Sequence, residues 1–188
     1  DIPLEFISGS THAGLLFFTN SGKIFETKMY EIPEGNRQSK GKSIVNFLSL
    51  SADEKVTAVL AVPKEKKGEK NFVVLVTLKG IIKKVAAEDF SDVRRSGIKA
   101  INLQKNDSLY WAKIISPGEE ILISTQKGQA IRFKEKDARR MGRSAQGVRA
   151  IKLKKGDEVV GMDAIPKEAK KLEVLAVSEL GYGKKTSL

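Results

Sequence analysis

Phe72-Val73-Val74-Leu75-Val76-Thr77-Leu78-Lys79-Gly80 passes from an unbroken apolar run through a threonine to a glycine, and the partly apolar, basic stretch Ile81-Ile82-Lys83-Lys84-Val85 follows it. The apolar run is short and rich in β-branched side chains, so the segment reads as a strand, a tight turn and a second strand. Gly80 suits the turn because it reaches positive φ without a Cβ clash. The same order recurs in Leu15-Leu16-Phe17-Phe18-Thr19-Asn20-Ser21-Gly22, in Ile121-Leu122-Ile123-Ser124-Thr125-Gln126-Lys127-Gly128 and in Val174-Leu175-Ala176-Val177-Ser178-Glu179-Leu180-Gly181. The four glycines lie 58, 48 and 53 residues apart.

Two further landmarks keep the same order. A second glycine follows after 17 to 19 residues, at Gly41, Gly97 and Gly147, each opening a mixed apolar and basic run. Ten to twelve residues later comes an acidic turn and another apolar run, at Asp53-Glu54-Lys55-Val56, Asp107-Ser108-Leu109-Tyr110 and Asp157-Glu158-Val159-Val160. Each unit therefore reads as four strands, near residues 72–77, 81–85, 99–103 and 109–115 in the second. Residues 44–48 read as the matching third strand of the first unit, and only residues 88–95 and 135–143 suit short helical turns. Repetition of a four-stranded unit of about 50 residues is the mark of an all-β, propeller-like array of blades. The expected repeats are approximately 6–67, 70–118 and 119–169, with a truncated fourth from 172 to 188. An array that stops inside its fourth unit and starts without Met is expected to be part of a longer chain.

Composition narrows the function. Hydrophobic residues make up 40% of the 188, enough for a core. No apolar run approaches the roughly 20 residues a membrane helix needs, and no signal peptide is visible, so a cytoplasmic location is expected. The absence of cysteine removes disulfides, thiolate metal sites and thiol nucleophiles together. Net charge is +11, climbing from +1 over residues 1–67 to +4 over 68–118 and +6 over 119–188. Such a balance points to a polyanion, most simply nucleic acid.

The cations recur at equivalent places. After the first glycine stand Lys83 and Lys84, Arg132, and Lys184 and Lys185, with Lys28 and Lys134 slightly further on; the first unit has Glu26 instead. Around the second glycine stand Arg37, Lys40 and Lys42; Arg94, Arg95 and Lys99; and Arg139, Arg140, Arg143 and Arg149. A repeated fold places equivalent positions on one rim, so these residues are the candidate DNA contacts.

Other motifs read as structure. Residues 35–43 approach a phosphate-binding loop, but with five residues between Gly35 and Gly41 and a strand expected after Ser43 instead of a helix. His12, the one histidine, sits among Gly9, Ser10, Thr11 and Gly14 and reads as a turn residue. Asp53, Asp107 and Asp157 read as turn formers. Tyr110 and Trp111 are expected in the core, leaving no aromatic platform for single strands. No catalytic, cofactor or metal site can be assembled.

Several stretches resemble the C-terminal domain of the DNA gyrase A protein. Lys42-Ser43-Ile44-Val45-Asn46-Phe47-Leu48-Ser49-Leu50 with Asp53-Glu54-Lys55-Val56-Thr57-Ala58-Val59 resembles the second repeat of that family. Phe133-Lys134 with Arg140-Met141-Gly142-Arg143-Ser144-Ala145-Gln146-Gly147-Val148-Arg149 resembles a later one, and Gly181-Tyr182-Gly183-Lys184-Lys185-Thr186 is similar to the opening of the next. The resemblance implies a β-pinwheel whose blades exchange strands, with duplex DNA wrapped on the basic rim. It also implies a holoenzyme with the rest of the gyrase A protein and with the gyrase B protein, in which ATP-driven strand passage adds negative supercoils near the nucleoid. The family's Gln-Arg-Arg-Gly-Gly-Lys-Gly box is absent; Arg37-Gln38-Ser39-Lys40-Gly41-Lys42-Ser43 has a single glycine and no Arg pair. The box is expected on an upstream blade, and without it this piece is expected to bind duplex weakly and not to support supercoiling alone. The alternatives are the corresponding domain of the topoisomerase IV A protein and a propeller-type protein-interaction module in which the cations only solubilise.

Overall fold

A strand whose side chains are apolar at every position needs a cover on both faces, because successive residues point to opposite sides. The computed structural model, which describes residues 7–36, 38, 40–62, 70–91, 93–169 and 172–188, supplies those covers by stacking small antiparallel sheets. Blade 1 contains β1 (Gly14–Thr19), β2 (Lys23–Lys28) and β3 (Val56–Val62). Blade 2 contains β4 (Phe72–Thr77), β5 (Ile81–Ala86) and β7 (Leu109–Ile115), with β6 (Ile98–Lys99) between them in sequence. Blade 3 contains β8 (Glu120–Thr125), β9 (Ala130–Lys134) and β11 (Val159–Ile165), again with a short strand, β10 (Val148–Arg149), between. A hairpin of β12 (Glu173–Val177) and β13 (Gly183–Ser187) follows.

Side chains of β4 show how the stack is held. Val73 and Leu75 point into one core with Leu16, Phe18 and Ile24 of blade 1, while Val74 and Val76 point into another with Ile121 and Ile123 of blade 3. All four are 0 or 1% exposed. The rings of Phe18 and Phe90 meet edge to face across the first of these cores, 6.1 Å apart. The sheets have the orders β3-β1-β2-β6 and β7-β4-β5-β10, so the third strand of the second and of the third unit joins the preceding blade and not its own. Ile98 pairs with Ile24, and Val148 with Ile82. This exchange makes the array a pinwheel, as the resemblance implied. The inner edge is formed by β3, β7 and β11: Thr57 Oγ1 donates to Leu109 O at 2.9 Å, and Lys113 bridges to Asp163 at 2.9 Å. The exchanged strands lie at the opposite, outer edge.

Several local expectations are corrected. The strand expected at residues 99–103 is confined to Ile98–Lys99, the chain bending away after it. Residues 44–48 are not a strand; Ile44–Asn46 forms a single 3-10 turn. Its neighbours cover the face of blade 1 turned away from blade 2, where Leu48 is buried with Leu15, Phe17 and Phe25 and Ile44 and Phe47 pack against them. Tyr110 is 43% exposed, whereas Trp111 packs on the core between blades 2 and 3. The helical turns are shorter than their sequence windows, Ala87–Phe90 and Glu135–Asp137. No helix among the described residues is long and apolar enough to cross a membrane.

The acidic turns close each blade at one end. Asp107 Oδ1 accepts from the amides of Lys79 and Ser108, and Asp157 Oδ1 from those of Lys127 and Glu158, tying the turn before β7 or β11 to the turn after β4 or β8. In blade 1 Glu54 does this work, accepting from Thr19 Oγ1 at 2.7 Å, from Ser21 Oγ and from the Ser51 amide. Burial alone would raise the Glu54 carboxyl; the Ser21 and Thr19 hydroxyls, the Ser51 amide and Lys23 outweigh it and hold it below its ordinary 4.5. A depressed carboxyl adds stability that is present above the unfolded value and is lost as pH falls through the folded one. Denaturation midpoints should therefore drop on acidification below 4.5, and Glu54→Gln should remove part of that drop; an unchanged acid profile would refute the assignment. Gly147 has φ +91°, and a methyl group there would sit 2.6 Å from Ile82 O, at the entry of the exchanged strand. Gly147→Ala should cost about 1–3 kcal/mol or more in chemical denaturation, and a negligible change would mean that the entry relaxes freely.

Candidate nucleic-acid interface

The candidate cations divide into three groups. Lys83 and Lys84 are 0% and 5% exposed and cannot reach a phosphate, which corrects their placement on the rim. Both sit on β5, and what covers them is the link of blade 3 that precedes β10. Lys83 Nζ donates to Ala100 O at 2.6 Å and to Arg143 O. Lys84 Nζ donates to Glu135 O at 2.8 Å and to Glu135 Oε2 at 2.5 Å, and lies 4.7 Å from the centre of the Phe72 ring. Burial pushes Lys83 down to about 8.

A second group is exposed in whole or part but held by carboxylates. Lys28 pairs with Glu26 at 2.5 Å, Arg95 with Glu31 at 3.0 Å, Arg140 with Glu88 at 3.1 Å and Asp89 at 3.7 Å, and Lys185 with Glu173 at 2.5 Å. Arg132 pairs with Glu120. The Arg95 and Arg140 pairs join the link of one blade to the 3-10 turn of the blade before it. Their exposed geometry makes each worth little to stability.

In the third group, Lys40, Lys42, Arg94, Lys99, Lys134, Arg139, Arg143, Arg149 and Lys184 are exposed, and no ion pair among the described residues holds them. Lys99 and Arg149 occupy matching places on the exchanged strands β6 and β10, the outermost strands of their sheets. Arg94 lies in the link entering β6, and Arg139 and Arg143 in the link entering β10. Arg37 lies outside the described residues.

Sequence reading missed the cations at the turn end of the blades. Lys79 Nζ donates to Lys105 O at 3.0 Å and Lys127 Nζ to Lys155 O at 2.7 Å, and all four side chains are on exposed residues. Lys79 and Lys127 each immediately precede a landmark glycine, a signal present in the sequence. The pairings Lys23↔Lys99 and Ile81↔Arg149 place the exchanged strands beside this same end, so the turn lysines continue the outer cationic edge.

Among the described residues nothing else gathers into a reactive site. His12 is exposed in a turn, its ring 6.2 Å from that of Tyr30. A cavity of about 290 Å³ beside it is lined by Glu26, Lys28, Ala87, Glu88 and Phe90. The stretch after Lys42-Ser43 offers one 3-10 turn and no helix whose amides could cradle a phosphate. Among the described residues no three His, Cys, Asp or Glu side chains come together as metal ligands.

The buried pair makes a sharp test of this arrangement. Lys84→Met strands the Glu135 carboxylate in the core, and breaking a buried pair from one side costs about 3–5 kcal/mol. The double variant Lys84→Met/Glu135→Leu should recover most of that loss. Equal destabilisation of single and double variants by urea would show that the charge itself was not the cause.

Comparison with known proteins agrees with the fold. The chain matches the family described as DNA gyrase C-terminal domain, beta-propeller, over residues 15–63, 71–116, 119–166 and 172–188. It is 42% identical over 186 residues to the DNA gyrase A protein of Staphylococcus aureus strain NCTC 8325, an alignment covering 99% of this chain and 21% of that protein. The chain thus spans about a fifth of that relative's length. A crystal structure of the C-terminal domain of DNA topoisomerase IV superposes with a TM-score of 0.83 at 26% identity, covering 95% of this chain and 54% of that one. A structure of a DNA gyrase A C-terminal domain gives 0.74 at 28% identity, covering 94% and 55%. With the family matched through all four of its segments, and the strand exchange between blades in place, the chain belongs to the DNA gyrase A C-terminal domain family.

Proposed function

We propose that this chain binds duplex DNA through its phosphates along the outer cationic edge and bends it there, as the DNA-wrapping part of a gyrase A protein. The observation that carries the reading is the placement, on the exchanged strands and on the links that enter them, of exposed cations without carboxylate partners among the described residues. Phosphate contacts of this kind position DNA without reading its sequence. Bending a site of roughly 20–30 base pairs by 40–90° costs about 1–6 kcal/mol, which several such contacts spread over successive blades can offset. The scarcity of aromatics on that edge favours duplex over single strands. In the holoenzyme, with the remainder of gyrase A and with gyrase B, the bent segment would be presented for ATP-dependent strand passage. This domain contributes no catalytic group of its own to that scheme.

The higher TM-score against the topoisomerase IV domain, 0.83 against 0.74, favours a second reading in which the parent is a topoisomerase IV A protein. Assembly of the parent protein with its ATP-hydrolysing B partner on relaxed plasmid with ATP separates the two: net negative supercoils support gyrase, and their absence supports the alternative.

Replacing Arg139, Arg140 and Arg143 together by Glu should weaken binding to duplexes of any sequence. Each lost phosphate contact lowers the slope of log affinity against log salt by about 0.9, and Arg140 is already engaged by Glu88 and Asp89, so loss of the Arg139 and Arg143 contacts should lower the slope by roughly 2. An unchanged slope in fluorescence anisotropy would place this cluster away from the DNA.

A further inference from the structure

We infer that Lys83 and Lys84 form an internal clamp that fixes the arginine-bearing link of blade 3 onto blade 2 and thereby sets where Arg139, Arg140 and Arg143 stand. They are positioning residues, acting through the link and not on phosphate. The inference rests on the DNA-binding reading above, and it assigns a role to two lysines which that reading leaves buried.

The link is held at successive points, and most of them are on the two lysines. Glu135, at its start, gives both its carbonyl and its carboxylate to Lys84 Nζ. The amide of Met141 donates to Lys84 O at 2.8 Å, and Arg140 forms a parallel bridge with Lys84. Arg143 O is held by Lys83 Nζ, which also holds Ala100 O beside the exchanged strand β6. Ala145 O accepts from the amide of Asn102 at 3.2 Å. Backbone groups of the link are thus drawn inward, while Arg139, Arg140 and Arg143 themselves remain exposed.

The neighbouring seam shows that the device is specific. By position after the first glycine, Phe25 and Glu26 stand in blade 1 where Lys83 and Lys84 stand in blade 2. There the Phe25 ring lies against Gly97, and Glu26 turns to Lys28 of its own strand. No buried ammonium holds the link carrying Arg94 and Arg95 among the described residues; one exposed Arg95–Glu31 pair does. A link already ordered loses less freedom when its side chains meet a rigid polyanion, so the clamp raises the yield of each arginine contact.

The test uses this chain with Lys83→Met, which keeps the stem and removes the ammonium, alone and combined with Arg139→Glu/Arg140→Glu/Arg143→Glu. Amide exchange is measured without DNA, and binding to a duplex of about 25 base pairs is followed against salt. Exchange at Met141 and Ala145 should speed by about tenfold or more while the amides of β4 keep their protection. The salt slope should fall by about one to two in the otherwise unmutated chain. In the triple-Glu background Lys83→Met should change affinity by less than about twofold, because the groups it positions are gone. The same loss in both backgrounds, or unchanged exchange in the link, overturns the clamp. Failure of the unmutated chain to bind duplex, with exchange responding as expected, overturns the DNA reading and with it the purpose assigned to the clamp. Glu135→Gln keeps the shape and removes only the charge that holds Lys84. It should give the same pattern at smaller amplitude, and it decides the matter if Lys83→Met does not fold.

Discussion

Everything in this fold follows from strands that are apolar on both faces. Val73 and Leu75 must be covered from one side and Val74 and Val76 from the other, and a single sheet can do neither. Burying such side chains is worth roughly 1.5–3 kcal/mol each relative to exposure, so a lone blade is unstable and a stack is not. The exchange of β6 and β10 adds backbone hydrogen bonds to the same seams that the apolar side chains fill, and so blades are joined by two independent kinds of contact. Blade 1 solves the problem on its other face with residues 44–50, which fold over Leu15, Phe17 and Phe25 as an irregular cover.

This constraint also sorts the charges. An ammonium on β5 lies under the next link, and the chain pairs it with carbonyls and a carboxylate because an uncompensated buried charge is costly. A cation on an exchanged strand lies at the outer edge and keeps its charge for the solvent side. Position relative to the next unit, and not distance along the strand, decides whether a lysine belongs to the core or to the candidate interface.

The same fact explains what could be read in the sequence. The strand at residues 72–77 was legible because two-sided burial writes a continuous apolar run, those at 81–85 and 109–115 because β-branched and aromatic residues follow a landmark glycine or acidic turn, and the turns because Gly80 and Asp107 have definite conformational jobs. The destination of Ile98–Lys99 was not legible from its residues: two residues of strand carry no pattern that says which sheet they join, and only the resemblance implied exchange. Residues 44–48 misled because β-branched composition serves an irregular cover as well as a strand. Lys83-Lys84 carries no local sign of burial, yet both lysines are covered by Glu135 and Arg143. That cover lies about 50 residues away, beyond any local window.

The contrast between Phe25 and Lys83 has a bearing on how the array assembles. Blades of nearly the same backbone present different chemistry at the surface where the next one docks: an aromatic ring in one case, an ammonium seeking carbonyls and a carboxylate in the other. A newly formed blade that settled on the wrong predecessor would set a ring against polar groups, or a bare charge against hydrocarbon. Repeats so similar in shape would otherwise be free to swap partners within or between chains. Mismatched joints of this kind would disfavour blades stacked out of order, a cost that identical repeats would not impose.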